Sequence, residues 1–148
     1  MPQITRKIEF DAGHRVLRHE SKCKHLHGHR YVAEITVGSF ELDDLGRVMD
    51  FGVVKEKVGK WIDDHWDHNI ILHPEDPLII LLENSSKDIC DEVIGGKDPY
   101  IMPPTMNPTA ENMAHVLFDV CRKLIDSPLS VLQVRLYETP NCWADHRA

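Results

Sequence analysis

The segment Ile4-Thr-Arg-Lys-Ile8-Glu-Phe10-Asp-Ala12-Gly-His14 decides the fold class. Ile4, Ile8, Phe10, Ala12 and His14 fall on one side of an extended chain, with Thr5, Lys7, Glu9 and Asp11 on the other. That period of two is the mark of a half-buried strand. Residues 15–28 are polar, basic and rich in histidine, and read as a loop. A second strand is expected from about His29 to Val37, with Tyr31, Ala33, Ile35 and Val37 on its apolar side. Two adjacent strands, each with one apolar face, need a cover for that face.

Helices supply the cover. Asp50 is placed to cap a helix running to about Trp66, because Val54, Val58, Trp61, Ile62 and His65 share one helical face. Pro108 and Thr109 open a second helix, with Met113, Val116, Leu117, Val120 and Leu124 facing the core. A closing strand is expected from Leu129 to Glu138, where Leu132, Val134, Leu136 and Glu138 share a side. Residues 73–106 follow no single period. They hold an apolar run, Leu78 to Leu82, a short helical pattern near Asp88 to Val93, and several prolines. The expectation is an α+β domain, an antiparallel sheet covered on one face by helices, with residues 1–148 as one domain.

Composition narrows the function. The 148 residues are 42% apolar and 28% charged, ordinary for a soluble globular chain. No apolar run is long enough to span a membrane, and MPQITRKIEF is no secretory signal, so a cytoplasmic protein is expected. A net charge of −7 argues against general nucleic-acid binding. The four cysteines, Cys23, Cys90, Cys121 and Cys142, form no CxxC pair and are expected as free thiols.

Ten histidines are the unusual number, and they cluster in Cys23-Lys-His25-Leu-His27-Gly-His29. A lone histidine is more often a satisfied polar residue than a ligand. Residues two apart on an extended chain point the same way, however, so His27 and His29 can share one ion. Antiparallel pairing would bring His14 beside His29. Three imidazoles and an open fourth position form the ligand set of a catalytic zinc. Spacing leaves His25 and His19 as rival ligands.

Three further groups suit acid–base work. Cys23 lies between Lys22 and Lys24, and cationic neighbours favour the thiolate; Cys90 and Cys121 read as inert small residues. Asp67 beside His68 can orient an imidazole, though such a pair is equally at home on a surface. Glu138 falls on the core side of its strand, where a carboxylate needs a partner. A guanidine-like ligand edge would be one.

Taken in order, Phe10-Asp-Ala-Gly-His14, Cys23-x3-His27-Gly-His29, Met49-Asp-Phe51, Trp66-Asp-His68, Pro108-Thr-Ala-Glu-Asn112 and Glu138-Thr-Pro resemble the 6-pyruvoyl- and 6-carboxy-tetrahydropterin synthase family. The resemblance implies the tunnelling fold, a four-stranded antiparallel sheet with two helices on one face. It also implies trimers closing into a barrel, two trimers stacked as a hexamer, and active sites between subunits. By position, His14, His27 and His29 would hold Zn2+ and Cys23 would accept a proton. Asp67 and His68 would act as a relay from a neighbouring subunit. Glu138 would anchor the pterin's amino-pyrimidine edge, with Thr109 and Glu111 also on the substrate. The implied substrate is 7,8-dihydroneopterin triphosphate, and Lys22, Lys24 and Arg30 are candidates for its phosphates.

The short Cys-x3-His-Gly-His spacing and the ending Glu138-Thr-Pro-Asn-Cys-Trp-Ala resemble the carboxy branch. That branch yields 6-carboxy-5,6,7,8-tetrahydropterin, acetaldehyde and triphosphate on the route to queuosine. The rivals are a pyruvoyl synthase, a metal-free pterin aldolase or epimerase, and a non-enzymatic zinc module with a closed coordination sphere. Residues 73–106 are longer than in compact bacterial members, which leaves an interface or substrate-covering role open.

Overall fold

The computed structural model describes residues 1–148. Strand β1 (Gln3–His14) pairs antiparallel with β2 (His27–Gly38) over its whole length. β2 pairs with β5 (Ser130–Thr139), and β5 with β6 (Cys142–Arg147), both antiparallel. These four strands are the expected antiparallel sheet. Two short parallel strands, β3 (Asn69–Leu72) and β4 (Tyr100–Ile101), extend it beyond β1 to the order β4-β3-β1-β2-β5-β6. The four antiparallel strands thus sit within a longer sheet, extended at one edge by a short parallel pair.

The two long helices lie as the periodicity predicts. α1 (Phe51–His65) starts where the Asp50 side chain accepts from the Gly52 N–H at 2.7 Å, the N-cap role expected of it. The last long helix begins at Ala110, two residues past Pro108: Thr109 is its N-cap, accepting from the Asn112 N–H at 3.2 Å. Between them, residues 73–106 form two short helices, α2 (Leu78–Glu83) and α3 (Lys87–Ile94), so the long C-terminal helix Ala110–Leu124 is α4. α2 buries none of its residues in this chain, which is why its apolar run carried no helical period. No helix is long and apolar enough to cross a membrane.

The core lies between the sheet and the long helices α1 and α4. Phe10 stacks on Tyr31 with ring centroids 5.1 Å apart, and Trp66, just past α1, packs on Phe10 at 5.7 Å. Val54, Val58, Ile62, Met113 and Leu117 close over them, all fully buried. At β5 the alternation shifts: a bulge opposite Thr36 and Val37 leaves Leu132 partly exposed and buries Val131. Leu132 therefore does not share the core side with Val134 and Leu136 as expected.

The opposite face of the sheet carries charges in cross-strand pairs. Lys7 meets Glu34 at 3.4 Å, Arg30 forks onto Asp11, and Arg135 forks onto Asp145 at 2.6 and 2.9 Å. The Arg135 guanidinium also lies 4.9 Å from the Trp143 ring centre. Trp66 is the largest side chain shut inside the core. Trp66→Ala should cost about 3–5 kcal/mol, seen as a lower urea midpoint with an unchanged slope.

Candidate metal centre

Strand β2 starts at His27, two residues earlier than the sequence pattern suggested, and its register sets the site. His14 faces His27 across the ladder, and Ala12 faces His29. The partner expected for His14, His29, is thus the diagonal neighbour. All three imidazoles project from the core side of the sheet at one end, where Tyr31 closes the floor with its ring centroid 5.9 Å from that of His14. Between them Gly28 passes so near β1 that an added Cβ would sit 3.2 Å from the Ala12 carbonyl oxygen.

The ligand atoms of His14, His27, His29 and Glu138 all lie within 4.8 Å of one another and can hold one metal ion. His14 Nε2 is 3.1 Å from His27 Nε2. The Glu138 carboxylate is 3.1 Å from His14 Nε2 and 3.0 Å from His29 Nε2. Glu138, expected as an anchor for the pterin and apart from the ligands, stands beside the three imidazoles. His25 and His19 stay outside. The His25 ring is exposed, and His19 Nδ1 accepts from the Ser21 N–H at 2.9 Å.

Main-chain carbonyls fix the tautomers. His14 Nδ1–H donates to the Pro108 carbonyl at 2.7 Å, and His27 Nδ1–H donates to the His25 carbonyl at 2.6 Å. An imidazole that gives its one proton at Nδ1 presents a lone pair at Nε2. In the neutral rings two lone pairs therefore face each other, and His29 Nε2 has only the Glu138 carboxylate, at 3.0 Å, beside it. Nitrogens bound to one tetrahedral ion lie roughly 3.3 Å apart. The donor set fits a cation.

The Glu138 carboxylate is stabilised by positive charge among these rings, which protons supply when no cation is bound. Burial pushes the His29 imidazole below its ordinary value; Glu138 pulls the other way, and His14 and His27 add to the lowering. Contact with His14 holds the Glu138 carboxyl below the usual carboxylate range, against its burial, and His29 and His27 act in the same direction. Neutral imidazole and ionised carboxylate are the ligating forms.

The other expected residues are distributed around this centre. Cys23 is half-buried in a short 3-10 turn, Lys22–Lys24, and its carbonyl accepts from the Val16 N–H at 2.9 Å; its thiol is not among the clustered donors. His68 is exposed, in a left-handed backbone conformation (φ 54°), and its Nδ1 lies 3.0 Å from the Asp67 carboxylate. Burial raises the Asp67 carboxyl, but the Asp11 N–H and His68 outweigh it and hold it below its usual range. His68 and His29 border one cavity of about 350 Å³. Thr109 uses its hydroxyl oxygen to cap α4, and Glu111 is exposed on the first turn. Arg30 points to the charged face and is engaged by Asp11 and Glu9. That leaves Lys22 and Lys24 as the uncommitted phosphate candidates. Residue types gave no sign of the carbonyls of Pro108 and His25, because any residue carries one.

A sheet covered on one face by two long helices, with three histidines and a carboxylate gathered at its end, defines an α+β protein with a cluster able to hold a metal ion. Residues 3–148 match the 6-pyruvoyl tetrahydropterin synthase family, and the chain belongs to it. A 6-carboxy-5,6,7,8-tetrahydropterin synthase from Rickettsia typhi is 46% identical over 147 residues, spanning 98% of this chain and 99% of its own length. An uncharacterized protein from Wolinella succinogenes superposes with a TM-score of 0.82 at 25% identity, covering 99% of this chain and 97% of that one. The 6-pyruvoyl tetrahydropterin synthase of Caenorhabditis elegans does so with a TM-score of 0.65 at 23% identity, covering 100% and 97%.

His27→Ala should lower bound metal, measured by elemental analysis of the purified protein, from near one equivalent to background. The metal-free fold should also lose stability as pH falls below about 6.5. A free imidazole takes up its proton there, whereas folded His29 resists it. His29→Asn should flatten that part of the profile of urea midpoint against pH.

Proposed function

We propose that this protein is a zinc-dependent 6-carboxy-5,6,7,8-tetrahydropterin synthase. It would convert 7,8-dihydroneopterin triphosphate to the 6-carboxy product, acetaldehyde and triphosphate, a step on the queuosine route. The observation that carries the metal half of the reading is the pair of facing lone pairs on His14 and His27. The pterin half rests on family membership and on the full-length similarity to relatives named for the carboxy product.

His14, His27 and His29 would hold the zinc, which when bound supplies a Lewis acid to the oxygens of the substrate side chain. Cys23 would take a proton from a side-chain carbon, aided by the positive charges of Lys22 and Lys24. His68, with its Nδ1–H donated to Asp67, keeps Nε2 free to exchange a proton with a substrate oxygen. Its exposure suits delivery into a site completed by a second copy of the chain, as in a hexamer of two stacked trimers. Glu138 would accept two parallel N–H bonds from the amino-pyrimidine edge, turning from the imidazoles to do so. Thr109 and Glu111 would stand at the substrate through the start of α4. The setting is a single soluble domain, cytoplasmic, with neither nucleic acid nor membrane as partner.

Incubating the zinc-loaded protein with 7,8-dihydroneopterin triphosphate should give 6-carboxy-tetrahydropterin and acetaldehyde by mass spectrometry. A pyruvoyl product would overturn the branch, and no turnover with zinc bound would overturn the reaction. Cys23→Ala should retain zinc and lose about 10²–10⁴-fold in kcat. Glu138→Gln should likewise retain zinc, with its main loss in kcat/KM; loss of the metal would make Glu138 a ligand instead of an anchor.

A further inference from the structure

The loop between the first two strands must hold Cys23 still although it contains little regular structure, and one side chain does this from 90 positions away. Asn107 Oδ1 accepts from the Leu17 N–H at 2.8 Å, and Asn107 Nδ2 donates to the Leu17 carbonyl at 3.0 Å. Its amide thus pairs with both polar groups of one residue, as a neighbouring strand would. Because the two partners are a backbone donor and a backbone acceptor, the orientation of the amide is fixed. Val16, next along, donates from its N–H to the Cys23 carbonyl at 2.9 Å.

Asn107 is itself tied down. Its carbonyl accepts from Asn112 Nδ2 at 2.9 Å, which anchors it to the first turn of α4. The next residue, Pro108, offers the carbonyl that orients His14. Two consecutive residues therefore grip the two parts of the site separately: Pro108 sets the His14 ring, and Asn107 sets the loop that carries Cys23.

We propose that Asn107 is a positioning residue whose two-way amide clamp on Leu17 fixes the Cys23 loop relative to the metal centre. The inference rests on the proposed role of Cys23 and adds a residue that role does not name. Asn107 touches neither metal nor substrate; it acts on distance, and small displacements of an acid–base group are costly to turnover.

Hydrogen exchange on the zinc-loaded full chain tests it, with Asn107→Ala and Asn107→Asp beside the wild type. Losing two hydrogen bonds should speed exchange in the peptide spanning residues 16–25 by roughly tenfold, with α4 and β5 unchanged. Asn107→Asp keeps the shape but sets an oxygen against the Leu17 carbonyl, so it should loosen the loop as well. Turnover of 7,8-dihydroneopterin triphosphate should fall at least about tenfold in kcat, with KM changed less than about twofold and zinc content intact. Unchanged exchange in the loop, a uniform rise across the whole protein, or full kcat despite a loosened loop would each overturn the clamp. If the wild type fails to turn over the pterin, the proposed reaction falls, and the exchange data alone then decide whether Asn107 holds the loop.

Discussion

Two imidazole nitrogens with their lone pairs directed at each other repel, and a protein holds them so only if something else fixes the rings. Here the fixing groups are main-chain carbonyls, Pro108 for His14 and His25 for His27. Each removes the ring's single proton from the space between the nitrogens. The rest of the centre follows from that constraint. A cation relieves the repulsion, and Glu138, 3.0 Å from the buried nitrogen of His29, brings a compensating charge.

The two carbonyls come from different parts of the chain, which makes the centre a product of the tertiary fold. His25 belongs to the loop before β2 and is local to its histidine. Pro108 arrives from the start of α4, 94 residues from His14. Its place depends on the packing of α4 against the sheet, and so on Met113, Leu117 and the Phe10–Tyr31–Trp66 stack. The metal centre therefore reads out whether the helix layer has docked.

The parts of this architecture legible in the sequence are those with one wet and one dry side. β1, β2, α1 and α4 each bury one face, so periods of 2 and 3.6 show in their residues. β6 carries no such signal: it pairs with β5 through a register shift near Trp143, and its residues are mostly exposed at a sheet edge. β3 and β4 are too short to display a period, and α2 is apolar on every side. For the site, the histidine spacing puts His27 and His29 on one side of β2, as the fold has them, but pairs His14 with His29, whereas β2 starts two residues earlier and His14 faces His27. Glu138 was legible as a core-side carboxylate. Its nearness to the imidazoles was not, since that depends on a β5 register with a bulge in it.

The charges on the open side of the sheet carry information about alignment. A slip by one residue between β1 and β2 would turn the histidines to the wrong side, which the core forbids. A slip by two keeps every side chain on its own side, and hydrophobic burial resists it far less sharply. The salt bridges discriminate here. Moving β2 by two in one direction sets Glu9 against Glu34, and in the other it parts Lys7 from Glu34 and leaves Arg30 with Glu9 but without its fork onto Asp11. In the last hairpin the equivalent slips bring Arg135 opposite Arg147 or strip it of Asp145. Like charges placed directly opposite are unfavourable. The outer side of the sheet thus works as a proofreading code for strand alignment, and the histidines on its inner side inherit the accuracy.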